Sequence, residues 1–415
     1  MTADGSTQKR QEAFVNSVVV PFEPDTSPAL LRRLDHHDVP ERWHTVDRSA
    51  HAPRIVAVPS ADASDGSDGS DGSYGSDGAD WVAAALVTAR PHTAYLKIVD
   101  AVGDVPAAVE AVVAHARRQG LAQVKWEGWT ASPEVAAAAG FAPLSPPLTP
   151  TEHAAGPDTG YVRWLHEDMV TTVTEPPWVS TVTEPPYYGQ TTHFTCGAVT
   201  ALVAQAHAGT LPREALDREA ELTLWRDATN FPACEPVGLG VAVRRAWPSS
   251  PVTVHLDVDR PVLLDHYPEN EQEWRALLQR TSRTQAARIG VPIDPHRLSL
   301  AAIRSAIGRR EHVLLLVSLA GMQGFDVPHW VLCHGAVPGA LVIEDPWAHA
   351  DAGDTWVDAH LLPVPDPSLD TMSTIATLSP DSTDSAEAES SPADRFRGAV
   401  TIGRTSRTAS ARGRG

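Results

Sequence analysis

The chain has three cysteines in 415 residues, an odd and small number that excludes the disulfide framework of a small secreted scaffold. It has no run of about 18 apolar residues, so no membrane-spanning helix is expected. It has no GxxxxGK[ST] loop, so no P-loop nucleotide site is expected either. The N-terminus, MTADGSTQKRQEAF, carries no apolar segment behind a basic start, and a secretory signal is not expected. With working thiols in view, the cytoplasm is the expected compartment. Lysine is scarce, and a formal net charge of −19 argues against a nucleic-acid or anionic-membrane partner. No pair of His or Cys stands at ligand spacing with a third partner, so neither a metal nor another cofactor is expected. Oligomeric state leaves no mark in the sequence.

What is present is enough for a sizeable core. Hydrophobic residues make up 42% of the chain, and the length favours two domains. A Ser-Asp-Gly tract from about Ser64 to Asp80 cannot bury a face and reads as a solvated insert. LSPDSTDSAEAESSPAD near the C-terminus reads the same way, and RTSRTASARGRG is a short basic tail.

The chemistry gathers around Gln190-Thr191-Thr192-His193-Phe194-Thr195-Cys196-Gly197. Cysteine attacks a carbonyl as the thiolate, which a helix N-terminus and an imidazolium stabilise. After Cys196, the run GAVTALVAQAHAG has helix formers and apolar residues at helical spacing, ending near Gly209. That places Cys196 in the first turn, among unpaired amides and at the positive end of the macrodipole. Gln190 lies one short loop upstream, within reach of an oxyanion held by the Cys196 amide. VPHWVLCHG reads as a buried strand with His329 near its start, and ALVIEDP as the next strand, with Gly335 through Gly339 making the turn between them. Antiparallel pairing can then set Asp345 beside His329, where a carboxylate orients the ring and stabilises its charged form.

Each of these residues has a plainer reading. Cysteine is often simply buried, and that reading suits Cys234 and Cys333. His334 is five residues beyond His329 and so points to the opposite face of the strand. His193 can line the site without acting as the base, and His349 competes for the neighbourhood of Asp345. Asp345 can also be a turn former before Pro346.

In order and spacing, the Gln190, Cys196-Gly197, His329-Trp330 and Asp345-Pro346 motifs resemble the bacteriocin-processing peptidases of the papain-like clan, and more closely their soluble C39-like relatives. The resemblance spans roughly residues 183 to 365, with a possible last strand at 396 to 404. It implies Gln190 as the oxyanion residue, Cys196 as the nucleophile, His329 as general base and acid, and Asp345 as its orienting partner, acting on a peptide or protein substrate. The membrane domain and ATPase of the transporter-linked members have no counterpart here.

Ahead of this region, strand-like NSVVVPF, RIVAV, WVAAALVTA and TAYLKIVDAVG lead into the amphipathic DVPAAVEAVVAHARRQG, the strand LAQVKWEGW and the capped SPEVAAAAGFAPL. That alternation, and AAAAGFAPL in particular, resembles the latter half of a GNAT acetyltransferase. The loop that would receive a pyrophosphate is Val102-Gly103-Asp104-Val105-Pro106, with one glycine and a repelling acid. A degenerate GNAT-like domain without acetyl transfer is therefore expected.

The expected fold class is α+β: an N-terminal α/β GNAT-like domain (residues 1–150, insert near 62–80), then a papain-like domain with a helical lobe and an antiparallel sheet (residues 187–405, insert near 376–394), and a tail at 406–415. Residues 151–186 read as a Pro/Thr-rich linker holding the repeat VTEPPWV and VTEPPYY, whose Trp178, Tyr187 and Tyr188 can wall a groove or pack as a strap. Met322 to Asp326 reads as a loop at the edge of the cleft. The expected function is a cysteine-dependent peptidase or peptidase-like amide hydrolase. Two alternatives stay open: an acyltransferase or transpeptidase using the same thioester, and a non-catalytic peptide-binding or maturation partner.

Overall fold

The computed structural model describes residues 17–23, 32–34, 39, 41–60, 80–149, 156–165, 182–228, 232–265, 267–376 and 395–404. Residues 61–79 of the Ser-Asp-Gly tract, the first VTEPP copy with Trp178, residues 377–394 and the basic tail lie outside them.

The first sheet contains β1 (Val18–Pro21), β2 (Arg54–Pro59), β3 (Trp81–Thr88), β4 (Tyr95–Gly103), β5 (Gln123–Glu127), β6 (Ala142–Pro143) and β7 (Gly160–Trp164), ordered β1-β2-β3-β4-β5-β7-β6. Its pairs are antiparallel except β4 with β5, where Tyr95 lies opposite Gln123 and Ile98 opposite Trp126 in a parallel ladder. A parallel pair requires a crossover, and the helix Val105–Arg118 supplies it. Its Val109, Val112, Val113 and Ala116 pack with Ala83, Ala85, Val87, Leu96 and Ile98 of the sheet. Each fully buried valine there contributes roughly 1.5–3 kcal/mol over an exposed one.

This sheet runs past residue 150, into the segment that composition had marked as a linker. In β7, Tyr161 joins the core on the helix side and Val162 the core on the other side, the alternation of a strand covered on both faces. The strand is short and lies among prolines and threonines, which masked it.

The second sheet contains β8 (Val252–Leu256), β9 (Ile293–Asp294), β10 (His312–Ser318), β11 (Pro328–Val337), β12 (Ala340–Glu344) and β13 (Leu362–Pro365). Two residue pairs, β14 (Ile375–Ala376) and β15 (Arg395–Phe396), form a separate ribbon before β16 (Gly398–Ile402). The order is β13-β12-β11-β10-β16-β8-β9. Leu314 and Leu316 of β10 join a core with the helices Cys196–His207 and Pro236–Ala246, while Val313, Leu315 and Val317 join one with Ile303 and Ile307 of the helix Leu300–Gly308. Burial on both faces explains why this strand reads as a continuous apolar run.

Helices and strands interleave along this part of the chain. β8 precedes the long helix Glu269–Ile289, and β16 lies inside the sheet, with Val400 opposite both Leu314 and Val254. That interior position depends on pairing with two distant strands, which no local pattern encodes. The turn between β11 and β12 is also tighter than expected, reduced to Pro338 and Gly339.

The two sheets share a core in which Ala122, Leu144 and Val162 meet Val342, Trp356, Val357 and Leu361. Gly160 permits the approach, because a Cβ there would lie 2.7 Å from Val357 Cγ2. Beside it runs a polar seam. Of the chain's three lysines, Lys97 and Lys125 are fully buried in it. Lys97 Nζ pairs with Asp358 and with Glu127 Oε1 at 2.6 Å. Lys125 Nζ donates to the carbonyls of Asp358 at 2.9 Å and His360 at 2.6 Å, and Tyr95 Oη donates to Asp358 Oδ1 at 2.7 Å. Glu184, in the second VTEPP copy, accepts from the Ser145 amide at 2.6 Å and lies 3.1 Å from His360 Nε2. Tyr187 and Tyr188 are both buried in this copy.

Candidate active site

Cys196 is the first residue of the helix Cys196–His207, all of which is buried as far as Gln205. A helix apolar on every side belongs inside a core, and its amino end is therefore fixed. Gly197 makes the fit possible: a Cβ at this position would lie 3.0 Å from Trp330 Cδ1 and 3.1 Å from Cys234 Cβ. Trp330 is held in turn by its indole N–H, which donates to the Cys234 carbonyl at 2.9 Å. Thr200 Oγ1 donates to the Cys196 carbonyl at 2.6 Å and contacts the Trp330 carbonyl at 3.2 Å.

His329 enters from the start of β11 and Asp345 from the residue after β12, and both are buried. His329 Nε2 donates to Asp345 Oδ1 at 2.8 Å. With Nε2 so engaged, Nδ1 is the nitrogen left for Cys196, whose side chain acts on the imidazole. Burial opposes a charged His329, but the Asp345 carboxylate and Cys196 outweigh it and raise the imidazole to about 10. Burial likewise opposes a charged Asp345, and His329 and Arg90 outweigh it, holding this carboxyl below its usual range. The Trp347 amide donates to Asp345 Oδ1 at 2.8 Å, and its ring lies 6.2 Å from that of His329.

Gln190 is in the loop that approaches Cys196. Its amide donates to the Pro346 carbonyl at 2.7 Å, and its Nε2 donates to the Thr192 carbonyl at 2.7 Å. The Gln190 Oε1 is buried and has no hydrogen-bond partner among the described residues. Between this loop and Pro346 to Ala348 lies a cavity of about 460 Å³, also lined by Thr149, Tyr187 and Trp356.

The remaining candidates separate cleanly. His193 lines that cavity and meets the Trp347 ring at 5.9 Å. His349 packs on Trp347 and Phe325, and its amide points to Asp354, leaving Asp345 to His329. His334 lies 3.0 Å from Glu344. Burial pushes the Cys333 thiol up to about 12 and raises Cys234 as well, which suits packing roles. In the segment expected to edge the cleft, Met322 is fully buried in a short helix, Ala320–Gln323, and Asp326 accepts from Ser318 Oγ at 2.6 Å. Among the described residues no group of three or more His, Cys, Asp or Glu could hold a metal ion, and no helix is long and apolar enough to cross a membrane.

Three residues of this site had not been singled out in the sequence. Trp347 could have been, since it directly follows Asp345-Pro346. Glu221 lies on the helix Arg218–Ala228 and accepts from Tyr188 Oη, the Thr191 amide and hydroxyl, and Thr195 Oγ1, at 2.5 to 3.0 Å. Arg90, from the first sheet's β3 to β4 loop, donates to Asp345 Oδ2 at 2.6 Å.

Residues 185–379 match the model of the Peptidase_C39 like family. The match covers Gln190, Cys196, His329 and Asp345 and less than half of the chain, leaving the first sheet and β16 outside. It supports a peptidase-like reading of the second sheet and its helices. A search of curated proteins finds no match to the chain.

Proposed function

We propose that this chain is a cysteine-dependent peptidase, or a peptidase-like amide hydrolase, with Cys196 as nucleophile. The observation that carries this reading is a cysteine at a helix start together with a buried His329 held by Asp345. His329 shares its Nδ1 side with Cys196, so the reactive form is a thiolate and imidazolium pair. The thiolate attacks a peptide carbonyl carbon, and the oxygen takes up the negative charge. The Cys196 backbone amide and the second Gln190 Nε2 hydrogen are assigned as the donors to that charge. His329 gives its proton to the leaving amine as the C–N bond breaks, leaving a thioester on Cys196. It then takes a proton from water, which cleaves the thioester and frees the acid.

The first sheet, in this reading, is a GNAT-like fold without acetyl transfer. Its strand order and single parallel pair around a crossover helix support the likeness. Against pyrophosphate binding stand Asp104, whose carboxylate accepts from the Ala107 amide at 3.1 Å, and Pro106, which has no amide to offer.

The test needs no known substrate. Iodoacetamide should alkylate Cys196 rapidly at neutral pH, and His329→Ala should abolish that rate advantage. Equal alkylation of Cys196 in the folded wild type and in folded His329→Ala would overturn the reading. Peptide-library cleavage by wild type, absent in Cys196→Ala, then separates hydrolysis from mere thiol reactivity.

A further inference from the structure

We propose that Arg90, carried by the first sheet, is a positioning residue for the His329 and Asp345 pair, so that the first sheet is part of the active site. This rests on the catalytic reading of Cys196 and His329 given above.

Arg90 has no exposed side-chain surface. Its Nη1 donates to Asp345 Oδ2 at 2.6 Å, its Nε to Asp354 Oδ2 at 3.0 Å, and its Nη2 to the Trp347 carbonyl at 3.1 Å. The loop that carries it is fastened as well: Thr93 Oγ1 donates to the Arg90 carbonyl at 2.6 Å, and the Arg90 amide donates to Tyr95 Oη at 3.4 Å. A planar fork fixed at three points cannot swing away from any one of them.

The consequence falls on Asp345. A carboxylate held at one oxygen can turn about its last bond, and the bond to the imidazole weakens as it turns. Here Oδ1 faces His329 and the Trp347 amide, while Oδ2 is held by Arg90. The same guanidinium holds the carbonyl of Trp347, whose ring covers His329. One side chain thus sets both the carboxylate and the aromatic cover. The ionisable groups around Arg90 include Tyr95, Asp358, Asp354, His51 and Lys125, and those around Asp345 include His329 and Tyr187.

The peptidase-like match begins at residue 185, 95 positions after Arg90. The matched segment alone therefore lacks the donor on Asp345 Oδ2.

The experiment uses the full chain and two conservative variants. Arg90→Lys keeps the charge and removes the fork. Asp354→Asn withdraws the charge that seats Nε and leaves Asp345 and His329 unaltered. For each, the His329 titration midpoint is read by NMR, and the iodoacetamide rate at Cys196 is followed against pH. If Arg90 positions Asp345, the midpoint falls by about one unit in Arg90→Lys, which is tenfold in the ratio of charged to neutral ring. The alkylation profile of Cys196 shifts along the pH axis with the midpoint, and Asp354→Asn moves both in the same direction by less. A lower melting temperature with an unmoved midpoint and alkylation profile would mean that Arg90 only cements the sheets, and would overturn the proposal. If Arg90→Lys gives no folded chain by circular dichroism, Asp354→Asn decides on the same criteria. The two readings fail separately, because alkylation that never depends on His329 sinks the catalytic reading, while the midpoint still reports whether Arg90 sets the ring.

Discussion

Thr195 Oγ1 donates to Glu221 Oε1 at 2.5 Å, so the residue in front of Cys196 is tied to another helix and not to the amides of the helix it begins. The helix therefore starts without a side-chain cap. Its first amides stay available near the thiol.

Glu221 is thus the anchor of the whole Gln190 loop. Glu221→Ala strands four donors, three of them on residues within that loop, and should cost about 1–3 kcal/mol in urea unfolding. It should also slow alkylation of Cys196, since the loop that frames the thiol loses its fixed end. Unchanged alkylation in a destabilised variant would show that the loop holds its shape without Glu221.

Gly197→Ala separates packing from helix propensity. Alanine is the better helix former by roughly 1 kcal/mol, but its methyl would press on Trp330 and the Cys234 Cβ at 3.0 and 3.1 Å. Neither neighbour is the free end of a flexible chain. A net loss of about 1–3 kcal/mol is expected from crowding. A gain in the urea midpoint would mean that Trp330 yields at little cost.

His329 gives a pH signature with a definite sign. Its pKa is raised to about 10 when folded, against about 6.5 in an unfolded chain. The stability it contributes is fully present below about pH 6.5 and is lost as pH rises through 10. Asp345→Asn removes the charge that opposes the burial penalty, so the midpoint should fall. Urea unfolding of wild type and Asp345→Asn, compared between pH 6 and 10.5, should converge at the alkaline end. Parallel curves across that window would contradict the assignment.

Asp358→Leu tests whether the two sheets are one folding unit. It leaves buried Lys97 with Glu127 and the Gly353 carbonyl and takes the acceptor from Tyr95 Oη. Breaking a buried pair from one side costs about 3–5 kcal/mol. Both sheets should lose stability together, in a single transition by fluorescence and circular dichroism. Two separated transitions would assign the sheets independent stability.

The sequence was most informative where the deciding interactions are local. Cys196 was readable at a helix start because Gly197 and the apolar run follow it directly, and His329 with Asp345 because two strands and a tight turn bring them together. The apolar stripe of Val105–Arg118 and its Asp104 cap were readable for the same reason. Where the partner lies far away, the signal vanished. Glu221 reads as one more acid on a charged helix until the Gln190 loop folds over it. Arg90 is 255 positions from Asp345, and nothing around it in the chain marks it. β8 and β7 were missed because five residues carry too few alternations to stand out from turns. The bond from Gln190 Nε2 to Thr192 depends on a loop conformation that composition does not encode.

Lys97 and Lys125 have no exposed surface. Acylating reagents directed at amines should therefore pass both by while the sheets stay together. Peptide mapping after brief labelling would then turn these two lysines into a gauge: modification at either one reports the moment at which the two halves of the molecule part.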